Sequence, residues 1–438
     1  MYTPATGRQP KPAGICFLDL AELKRLVWGH WRMARIVQKY GGTSVADLER
    51  IGHVAELVKR EHDAGNEVAV VVSAMAGVTD QLERWAVEAS LEHGKKERDV
   101  VLSTGEQVTS GLLAIALQGL GIEARSFMGW QIPIHTDDAH TKARILEIET
   151  AGLESFLKAG GVAVIPGFQG LAPGNRIATL GRGGSDTSAV AIAAALHAER
   201  CDIYTDVDGV YTCDPRIVAK ARKLDKITYE EMLEMASLGA KVLQTRSVAM
   251  AMRHNVRLQV RSTFEDADGT LVVGEDEIVE QSVVSGIAYN RDEAKIVLMK
   301  VPDQPGVAAA IFGPLAEANV NVDMIVQNVS EDGKSTDLTF TVTKSDLDAA
   351  VEVLESRRGE LKFSDIVSDP DVTKVSVIGV GMRSHAGVAG RMFAILAEKG
   401  INIQVISTSE IKVSVLIAEE YTELALRALH TAYGLDAD

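Results

Sequence analysis

The sequence predicts an α/β protein in which a mainly parallel β-sheet is sandwiched by helices and is followed by two smaller α+β modules. Three observations support this fold class. Short apolar runs alternate with helical patterns from residue 35 to about residue 262, a glycine-rich loop leads into an apolar helix, and the last third of the chain contains an internal repeat. The 438 residues are enough for two to four domains.

The strands predicted in the first region are short and mostly apolar. They cover residues 36–40, 68–73, 122–127, 162–166, 175–180, 202–206 and 256–262. The apolar run at residues 68–73 is typical of a strand that is buried on both faces. Helical periodicity between the strands, as at residues 45–61 and 105–119, indicates crossover helices and therefore parallel strands. Ligands of such sheets bind at the carboxyl ends of the strands.

The glycine-rich loop, Gly-Arg-Gly-Gly-Ser-Asp-Thr-Ser at residues 181–188, joins a predicted strand to a helix at residues 189–196. Its glycines let backbone N–H groups turn toward an anion, and the helix start adds unpaired N–H groups with a partial positive charge. Such a loop can bind phosphate, although a glycine turn can also be a plain connection. Arg182 and Asp186 favour the binding loop, because a connection needs neither charge.

Two earlier loops carry polar groups. Residues 39–44, Lys-Tyr-Gly-Gly-Thr-Ser, combine a lysine suited to phosphate oxygens with paired glycines. The alternative is a helix start capped by one of the two hydroxyls. Residues 72–80 offer Ser73 and Thr79 to a small polar substrate, or else form a turn in which Thr79 caps the next helix.

Three later segments are equally ambiguous. Glu106, in the predicted first turn of a helix, could bind an ammonium group or merely complement the helix dipole. Residues 201–216 predict a strand and an acidic turn, whose tyrosines and arginine suit either a nucleotide cleft or a solvated loop. Residues 239–241 are predicted to open a helix, which would place Lys241 beside free N–H groups.

The C-terminal region repeats itself with an offset of 81 residues. Gly306, Phe312 and Asn321 recur as Gly387, Phe393 and Asn402. Each copy predicts a strand, a glycine loop, a helix, two strands and a helix, over residues 294–361 and 372–433, which is a roughly ferredoxin-like α+β pattern. Modules this small bury little core alone, so we expect them to pair within or between chains.

These patterns predict the domain boundaries. An acidic, glycine-bearing stretch at residues 265–269 indicates the end of the first domain. We therefore expect a first domain at residues 33–264, a linker at 265–293 and modules at 294–363 and 372–438. The polar, proline-bearing residues 1–32 are predicted to be a disordered leader ahead of a functional start at Met33, with a genuine N-terminal arm as the alternative.

Composition limits the partners. The net charge of −16 and the isoelectric point near 5.2 disfavour nucleic acid and anionic membranes, so any phosphate site has to be a local basic pocket. The three cysteines fit neither a disulfide framework nor zinc spacing, and no uninterrupted apolar run reaches the ~18 residues of a membrane span. We predict a cytoplasmic protein.

Familiar nucleotide signatures are missing from the sequence. It contains neither a Gly-x-x-x-x-Gly-Lys-Ser/Thr loop nor the His-Arg-Asp and Asp-Phe-Gly motifs, which excludes a P-loop enzyme and a protein kinase. No metal-ligand cluster is present either. Mg²⁺ could still arrive with a nucleotide.

Taken in order, residues 39–45, 103–106, 181–186 and 211–216 resemble the motifs of the aspartate kinases of the amino-acid kinase superfamily. The repeat resembles a tandem pair of ACT regulatory domains, with Gln-Asn-Val at residues 327–329 of the first. The resemblance spans residue 34 to the end, without the leader and without a fused homoserine dehydrogenase. In that family a strand near residues 283–289 can pack with the second ACT unit, so the two modules are expected to interleave.

The resemblance implies phosphorylation of the L-aspartate side-chain carboxylate by ATP, with Mg²⁺ accompanying the nucleotide. This reaction leads to lysine, threonine and methionine biosynthesis. The catalytic residues would be Lys39, Arg182 and Asp186. Lys39 would neutralise the transferring phosphoryl group, whereas Asp186 would need a lysine or magnesium neighbour. The aspartate pocket would comprise Ser73, Thr79, Glu106, Phe168, Arg182 and Ser185. The nucleotide would contact Lys39, Tyr40, Gly41, Gly42, Gly184, Ser185, Thr205, Asp206, Tyr211, Asp214, Arg216 and Lys241.

The ACT pair implies feedback by lysine, threonine or both. Candidate effector contacts are Asp303, Asp323, Gln327 and Asn328, although some of these residue types also suit turns. A homodimer or larger assembly through the ACT modules is the expected state.

Two rival functions remain open from the sequence. An acetylglutamate or glutamate kinase explains the glycine loops but not the repeat. A catalytically silent amino-acid sensor does not explain why both lysines, Arg182 and Asp186 are present.

Overall fold

The computed structural model describes residues 34–90, 94–239, 242–278, 282–329 and 334–436. The predictions for the leader, for Met33 and for Lys241 lie outside these ranges. The helices are α1 (Leu48–Asp63), α2 (Val78–Ala89), α3 (Lys95–Gly119), α4 (Ala151–Lys158), α5 (Gly184–Ala195), α6 (Tyr229–Ser237), α7 (Thr245–His254), α8 (Val307–Glu317), α9 (Leu347–Ser356), α10 (Arg358–Leu361), α11 (Val388–Glu398) and α12 (Thr422–Ala432). The strands of the first domain are β1 (Arg35–Tyr40), β2 (Glu67–Val72), β3 (Ala124–Ser126), β4 (Ile134–Thr136), β5 (Ile145–Ile148), β6 (Val162–Pro166), β7 (Gln169–Ala172), β8 (Arg176–Thr179), β9 (Arg200–Thr205), β10 (Lys226–Thr228), β11 (Leu258–Ser262) and β12 (Thr270–Val273). Those of the C-terminal region are β13 (Gly286–Pro302), β14 (Val322–Val329), β15 (Ser335–Val342), β16 (Asp365–Ile378), β17 (Val405–Thr408) and β18 (Lys412–Ala418).

The first domain is built on a large sheet with the strand order β10-β12-β11-β9-β1-β2-β6-β3 among the described residues. Neighbouring strands are parallel except for the antiparallel pair β11 and β12. Alternate residues of β2 explain its apolar run. Val68, Val70 and Val72 pack toward α1 and α3, whereas Ala69 and Val71 pack toward α5, α6 and α7. The predicted mainly parallel sheet between helices is confirmed.

The acidic stretch at residues 265–269 lies within this domain and does not end it. Strand β12 follows the stretch and pairs with β10 and β11 in the large sheet. The linker therefore begins later than residue 265. A four-residue strand carries too weak a pattern to be distinguished from a linker by sequence.

Strand β8 belongs to a second, smaller sheet with the order β5-β4-β7-β8 among the described residues. It pairs antiparallel with β7 from Gln169↔Thr179 to Ala172↔Arg176. Gly174 and Asn175 take left-handed backbone conformations in the tight connection. A strand thus lies within the predicted residues 175–180. It belongs to this hairpin and not to the main sheet, so the glycine loop begins at the end of the hairpin.

Helix α3 begins at Lys95, ten residues earlier than predicted. Glu106 is consequently a mid-helix residue, and the interpretation as a first-turn residue that complements the dipole is wrong. By length and composition alone, α3 could cross a membrane, but half of its most apolar window is buried within the fold. Its buried residues include the charged Asp99 and Glu106. We therefore interpret it as a core helix.

The alternative capping interpretations are also wrong. Asp47 caps α1 by accepting from the Arg50 N–H, and Gly77 precedes α2. Gly239 has a φ of 103° just after α6, and the next described helix begins at Thr245, so Gly239 is not the first residue of a described helix. Thr79 is therefore free of a capping role.

The C-terminal region forms an antiparallel sheet with the order β14-β15-β13-β16-β18-β17. The first half of β13 pairs with β16, from Gly286↔Ile378 to Tyr289↔Val375, beside the second module. Its second half pairs with β15 of the first module, from Ala294↔Val342 onward. The two modules interleave as expected. Gly306 and Gly387 have φ values of 94° and 97° before equivalent helices, so the sequence repeat is a structural repeat.

Candidate active site

The glycine loop and β1 bring Lys39 and Asp186 together. Lys39 lies on β1 with Val37 on the face covered by α5, and Asp186 lies in the first turn of α5. The Lys39 Nζ and Asp186 Oδ1 atoms are 2.6 Å apart and form an ion pair, although their angle does not meet hydrogen-bond criteria. Both side chains are 11% exposed. The Lys39 ammonium therefore offsets the cost of burying the Asp186 carboxylate and is the lysine neighbour that Asp186 was expected to need.

The loop needs glycine at two positions. Gly181 and Gly183 have φ values of 80° and 70°, and a Cβ on Gly183 would lie 2.2 Å from the Gln244 side chain. No side chain caps the start of α5. The Gly184 N–H donates to the Gly181 carbonyl oxygen, which leaves the N–H groups of Ser185 and Asp186 available to an anion beside Lys39.

A cavity of about 310 Å³ opens in front of this loop. It is lined by every residue predicted for the aspartate pocket and by the catalytic pair: Lys39, Ser73, Thr79, Glu106, Phe168, Arg182, Ser185 and Asp186, together with Gly181, Gly183, Gly184 and Gln244. Arg182 is exposed and forms no ion pair within the described part of the chain. Its guanidinium is free to bind a carboxylate in a fork.

Glu106 is the unusual acid of the cavity. It is only 3% exposed, and its Oε2 has no hydrogen-bond partner among the described residues. Burial raises the pKa of Glu106 to about 7, although the backbone N–H of Ala74 partly offsets the effect. The close approach depends on Gly105, because a Cβ there would lie 2.8 Å from the Ala74 Cβ. A cationic group entering the cavity would supply the missing partner.

Phe168 adopts a left-handed conformation with a φ of 68° at the cavity wall. Its N–H donates to Ser188 Oγ of α5, and its carbonyl accepts from the Leu180 N–H. Such backbone strain in a non-glycine residue is held by its surroundings and is common at binding sites. Residue 168 thus links β7 to both ends of the glycine loop.

The structure divides the predicted nucleotide residues into two groups. Gly41 and Gly42 lie beside Lys39, since a Cβ on Gly41 would lie 3.4 Å from Lys39 Nζ. Thr205 ends the adjacent strand β9, and its hydroxyl donates to the carboxylate of Asp206, the next residue. These four positions share the carboxyl edge of the sheet with the cavity.

Tyr40 is contradicted as a side-chain contact. The residue is fully buried, and its ring stacks on Tyr204 at 4.6 Å between centroids. On β1 it points to the face opposite Lys39, because successive side chains of a strand alternate. Only its backbone faces the loop.

The segment at residues 211–216 contacts the regulatory region and does not line the cavity. Thr212 Oγ1 lies 2.8 Å from His430 Nε2, and the Tyr289 hydroxyl donates to Asp214. Arg216 forms a bidentate pair with Asp214, and the Tyr211 hydroxyl donates to Asp208. Asp214, Arg216 and Tyr211 are therefore engaged with protein groups in this structure.

The sequence analysis missed Gln244 and Asp99. Gln244 lines the cavity just before α7, and its type and position gave no signal. Asp99 is fully buried and accepts hydrogen bonds from His140, Thr141 and Thr179. It could have been found only if the true start of α3 had been predicted.

Of the predicted effector residues, Asp323 is the most engaged. It pairs with the buried Lys374, which also contacts Glu293. Burial would raise the pKa of Asp323, but the hydrogen bond and charge of Lys374 lower it overall. Gln327 and Asn328 lie on β14, at the edge of the regulatory sheet, and Asp303 follows β13.

Comparisons with known proteins agree with this architecture. The model of the amino acid kinase family matches residues 34–262, and ACT domain models match residues 295–359 and 375–433. The chain therefore belongs to the amino acid kinase family and carries two ACT domains.

Its relatives narrow the class further. The chain is 57% identical over 406 residues to an aspartate kinase of Stutzerimonas stutzeri, which covers 92% of this chain and 98% of that protein. Crystal structures of E. coli aspartokinase III, one with aspartate and ADP and one with lysine and aspartate, are 27% identical, with TM-scores of 0.75 and 0.74. They cover 91% and 90% of this chain, and 99% and 98% of their own chains. Within the family, the chain belongs to the aspartate kinases.

Proposed function

We propose that the chain transfers the γ-phosphoryl group of ATP to the side-chain carboxylate of L-aspartate, giving 4-phospho-L-aspartate. The observation that carries this proposal is the cavity itself. It joins the Lys39–Asp186 pair, at a helix start without a side-chain cap, to Arg182 and to the buried Glu106, whose Oε2 has no hydrogen-bond partner among the described residues. The first pair suits a phosphoryl group, and the other two side chains suit the charged ends of an amino acid.

The reaction needs positioning and charge neutralisation more than proton transfer. Aspartate has a reference side-chain pKa of about 3.9, so its carboxylate is already a nucleophile at neutral pH. We assign neutralisation of the transferring phosphoryl group to Lys39. The N–H group of Gly42 would donate to phosphate oxygens. Those of Gly41 and Gly184 donate to the carbonyl oxygens of Tyr204 and Gly181 in the structure and would have to exchange these partners for phosphate. Ser185 would orient the reacting carboxylate beside these N–H groups.

Recognition of the amino acid would use opposite charges at the two walls of the cavity. Arg182 would bind the α-carboxylate, and Glu106 would bind the α-ammonium. Ser73 and Thr79 add hydroxyl groups on the loop between β2 and α2, and Phe168 closes the apolar side. This arrangement demands both charges of a free amino acid, which an acetylated substrate lacks.

The nucleotide would extend from the glycine loop toward Thr205 and Asp206. Mg²⁺ would come with the phosphates, since the described residues contain no cluster of three or more metal-binding side chains. Asp186 is the carboxylate best placed to assist it. A bound Mg²⁺ would supply further neutralisation of the phosphate charge.

Hydroxamate formation from acyl phosphate tests the reaction. With ATP and Mg²⁺, we expect turnover with L-aspartate to exceed that with L-glutamate by at least ~10-fold, because one extra methylene is poorly accommodated. N-acetyl-L-glutamate should give no product. Equal or better use of either glutamate compound would contradict the proposal, and ATP-analogue binding without any turnover would indicate a sensor.

We further propose feedback by lysine, threonine or both through the first ACT module. Inhibition requires that the effector bind two enzyme states unequally. The second module contacts the kinase domain directly, because His430 and Tyr289 hydrogen-bond residues 212 and 214, and the first module shares β13 with it.

We expect Asn328→Ala to raise the effector concentration for half-inhibition by ~10-fold, within the usual range of allosteric coupling. The uninhibited kcat should stay unchanged. Ser409→Ala, at the equivalent position of the second module, is the matched control and should keep normal sensitivity. If neither amino acid alters activity or Tm of the unsubstituted protein, the regulatory proposal is wrong.

The assembly is proposed to be at least a homodimer, in the cytoplasm. Ile325 and Ile406 are exposed on β14 and β17, which are the edge strands of the regulatory sheet. Exposed apolar edge strands favour pairing with another sheet. The buried free thiols of Cys201 and Cys213 suit a reducing compartment.

A further inference from the structure

A second cavity, of about 480 Å³, lies at the start of α3. It shares no lining residue with the active-site cavity. Its charged lining comprises Lys95, Lys96, Asp138, His140 and Lys142. A site of this size can hold a small metabolite.

His140 gives the cavity a buried polar group. Its side chain is 4% exposed, and its Nδ1 lies 2.9 Å from the fully buried Asp99. The other ring nitrogen, Nε2, has no hydrogen-bond partner among the described residues. Leaving such a group unpaired is costly, so a ligand that reaches it gains a contact. Nε2 can donate to an oxyanion as imidazolium or accept from a protonated oxygen as neutral imidazole.

The surroundings of His140 favour an anion. Lys95 and Lys96 open α3, whose N-terminus has no side-chain cap, and Lys142 approaches from the opposite segment. Lys95 and Lys142 form no ion pair in the described ranges. The Asp138 Oδ1 atom lies 3.3 Å from His140 Nε2 and 3.5 Å from Lys96 Nζ, without hydrogen-bond geometry at the imidazole. The Asp138 carboxylate thus lies near both the Lys96 ammonium and the His140 imidazole, but it does not hydrogen-bond His140 Nε2.

We propose that this cavity is a second ligand site, which binds a small phosphate-bearing anion. Lysine ammonium groups and helix N–H groups both suit phosphate oxygens, and a singly protonated phosphate can also donate to neutral His140. The chain has a net charge of −16, but three lysines surround the buried imidazole, so the cavity is locally basic. The site goes beyond the proposed aspartate kinase reaction, which does not use it.

The site is coupled to the glycine loop through Asp99. Asp99 Oδ2 accepts from His140 Nδ1 and from the backbone N–H groups of Thr141 and Thr179. Thr179 ends β8, two residues before Gly181. A Cβ on Gly181 would in turn lie 3.0 Å from the Thr141 carbonyl oxygen. Binding at His140 is therefore expected to shift the KM for aspartate through the position of Arg182.

Inorganic phosphate is the probe. The full chain is first saturated with ADP and aspartate to fill the active site, and phosphate binding is then measured by ³¹P NMR titration. We expect one phosphate to bind per chain. The Lys95→Ala/Lys142→Ala variant removes two positive charges that line the cavity, so its Kd for phosphate should be at least ~10-fold higher. The Lys59→Ala/Lys158→Ala variant, which removes two lysines outside this cavity, should bind phosphate normally.

His140→Gln provides a second variant, which should weaken phosphate binding by a similar factor. If it does not fold, the lysine variants alone decide the question. Equal binding by the two lysine pairs, or no phosphate bound beyond the active site, would overturn the proposal. Stronger binding of malonate than of phosphate would also overturn it. Phosphate should change the KM for aspartate in the unsubstituted protein and not in Lys95→Ala/Lys142→Ala, and an unchanged KM would refute the coupling.

Discussion

Replacing Lys39 by alanine is expected to lower kcat for aspartate phosphorylation by at least ~10²-fold, by analogy with the loss of one preorganised donor. The Lys39 ammonium lies 2.6 Å from Asp186, beside the uncapped N-terminus of α5. It is the cation best placed to meet the charge on the transferring phosphoryl group. Steady-state release of ADP, measured with saturating ATP and aspartate, checks the prediction.

The control has to separate chemistry from stability, because Lys39→Ala leaves the buried carboxylate of Asp186 without its partner. The Lys39→Met/Asp186→Asn double variant removes both charges and retains the shape of the pair. We expect it to regain thermal stability relative to Lys39→Ala but not activity. Near-normal turnover in either variant would show that Lys39 does not carry the phosphoryl charge.

Replacing Glu106 by glutamine is expected to raise the KM for aspartate by ~10- to 100-fold, which corresponds to about 1.5–3 kcal/mol for a lost hydrogen bond to a charged group. The residue is 3% exposed, and its Oε2 has no hydrogen-bond partner in the part of the chain that the structure describes. The α-ammonium of aspartate would provide that partner. Gln107→Ala, on the adjacent residue of α3 that hydrogen-bonds Gln169, is the control and should have a smaller effect.

The pH dependence of KM follows from the pKa of Glu106, which burial raises to about 7. Below pH 7 the carboxyl group is protonated in the free protein and has to lose its proton before it can bind an ammonium. The KM for aspartate should therefore rise as the pH falls below about 7. In Glu106→Gln the KM should be high and independent of pH between 6 and 8, and a retained pH dependence would contradict the assignment.

The raised pKa of Glu106 also predicts that folding stability falls as the pH rises, whereas binding of aspartate improves. The unfolded chain ionises this carboxyl group near its ordinary pKa of 4.5, whereas the ligand-free folded protein does so near 7. The folded state binds more protons over that interval, so its stability falls as the pH rises from about 4.5 to 7. Above pH 7 the penalty is at most about 3 kcal/mol. Glu106→Gln should thus raise the Tm of the ligand-free protein at pH 8, with little gain at pH 5.

The glycine loop illustrates how much of the site the sequence could predict. Gly181, Gly183 and the apolar run after residue 188 define a turn into a buried helix, and Arg182 and Asp186 add the charges of a binding loop. The roles of these residues stay predictions until the variants are tested. The partner of Asp186 lies 147 positions earlier in the chain, on β1. Only the parallel pairing of β1 within the sheet brings it near.

The sequence could not predict the environments that long-range packing decides. Tyr40 sits in a phosphate-loop-like segment, yet strand alternation turns its ring into the core against Tyr204. Residues 211–216 have the composition of a nucleotide contact, yet His430 and Tyr289 engage them from the regulatory region. Local composition cannot reveal partners that lie 75 to 218 residues away in the chain.

The sequence by itself determined the classes of element, the mainly parallel sheet and the internal repeat, because periodicity and turn chemistry are local properties. The resemblance to the aspartate kinases supplied the residues of the candidate pocket. Tertiary structure alone decided which of those residues meet. It buried Glu106 within α3, separated β8 into its own sheet and interleaved the ACT modules through β13. Each outcome depends on which surfaces exclude water from one another, and that depends on contacts between segments far apart in the chain.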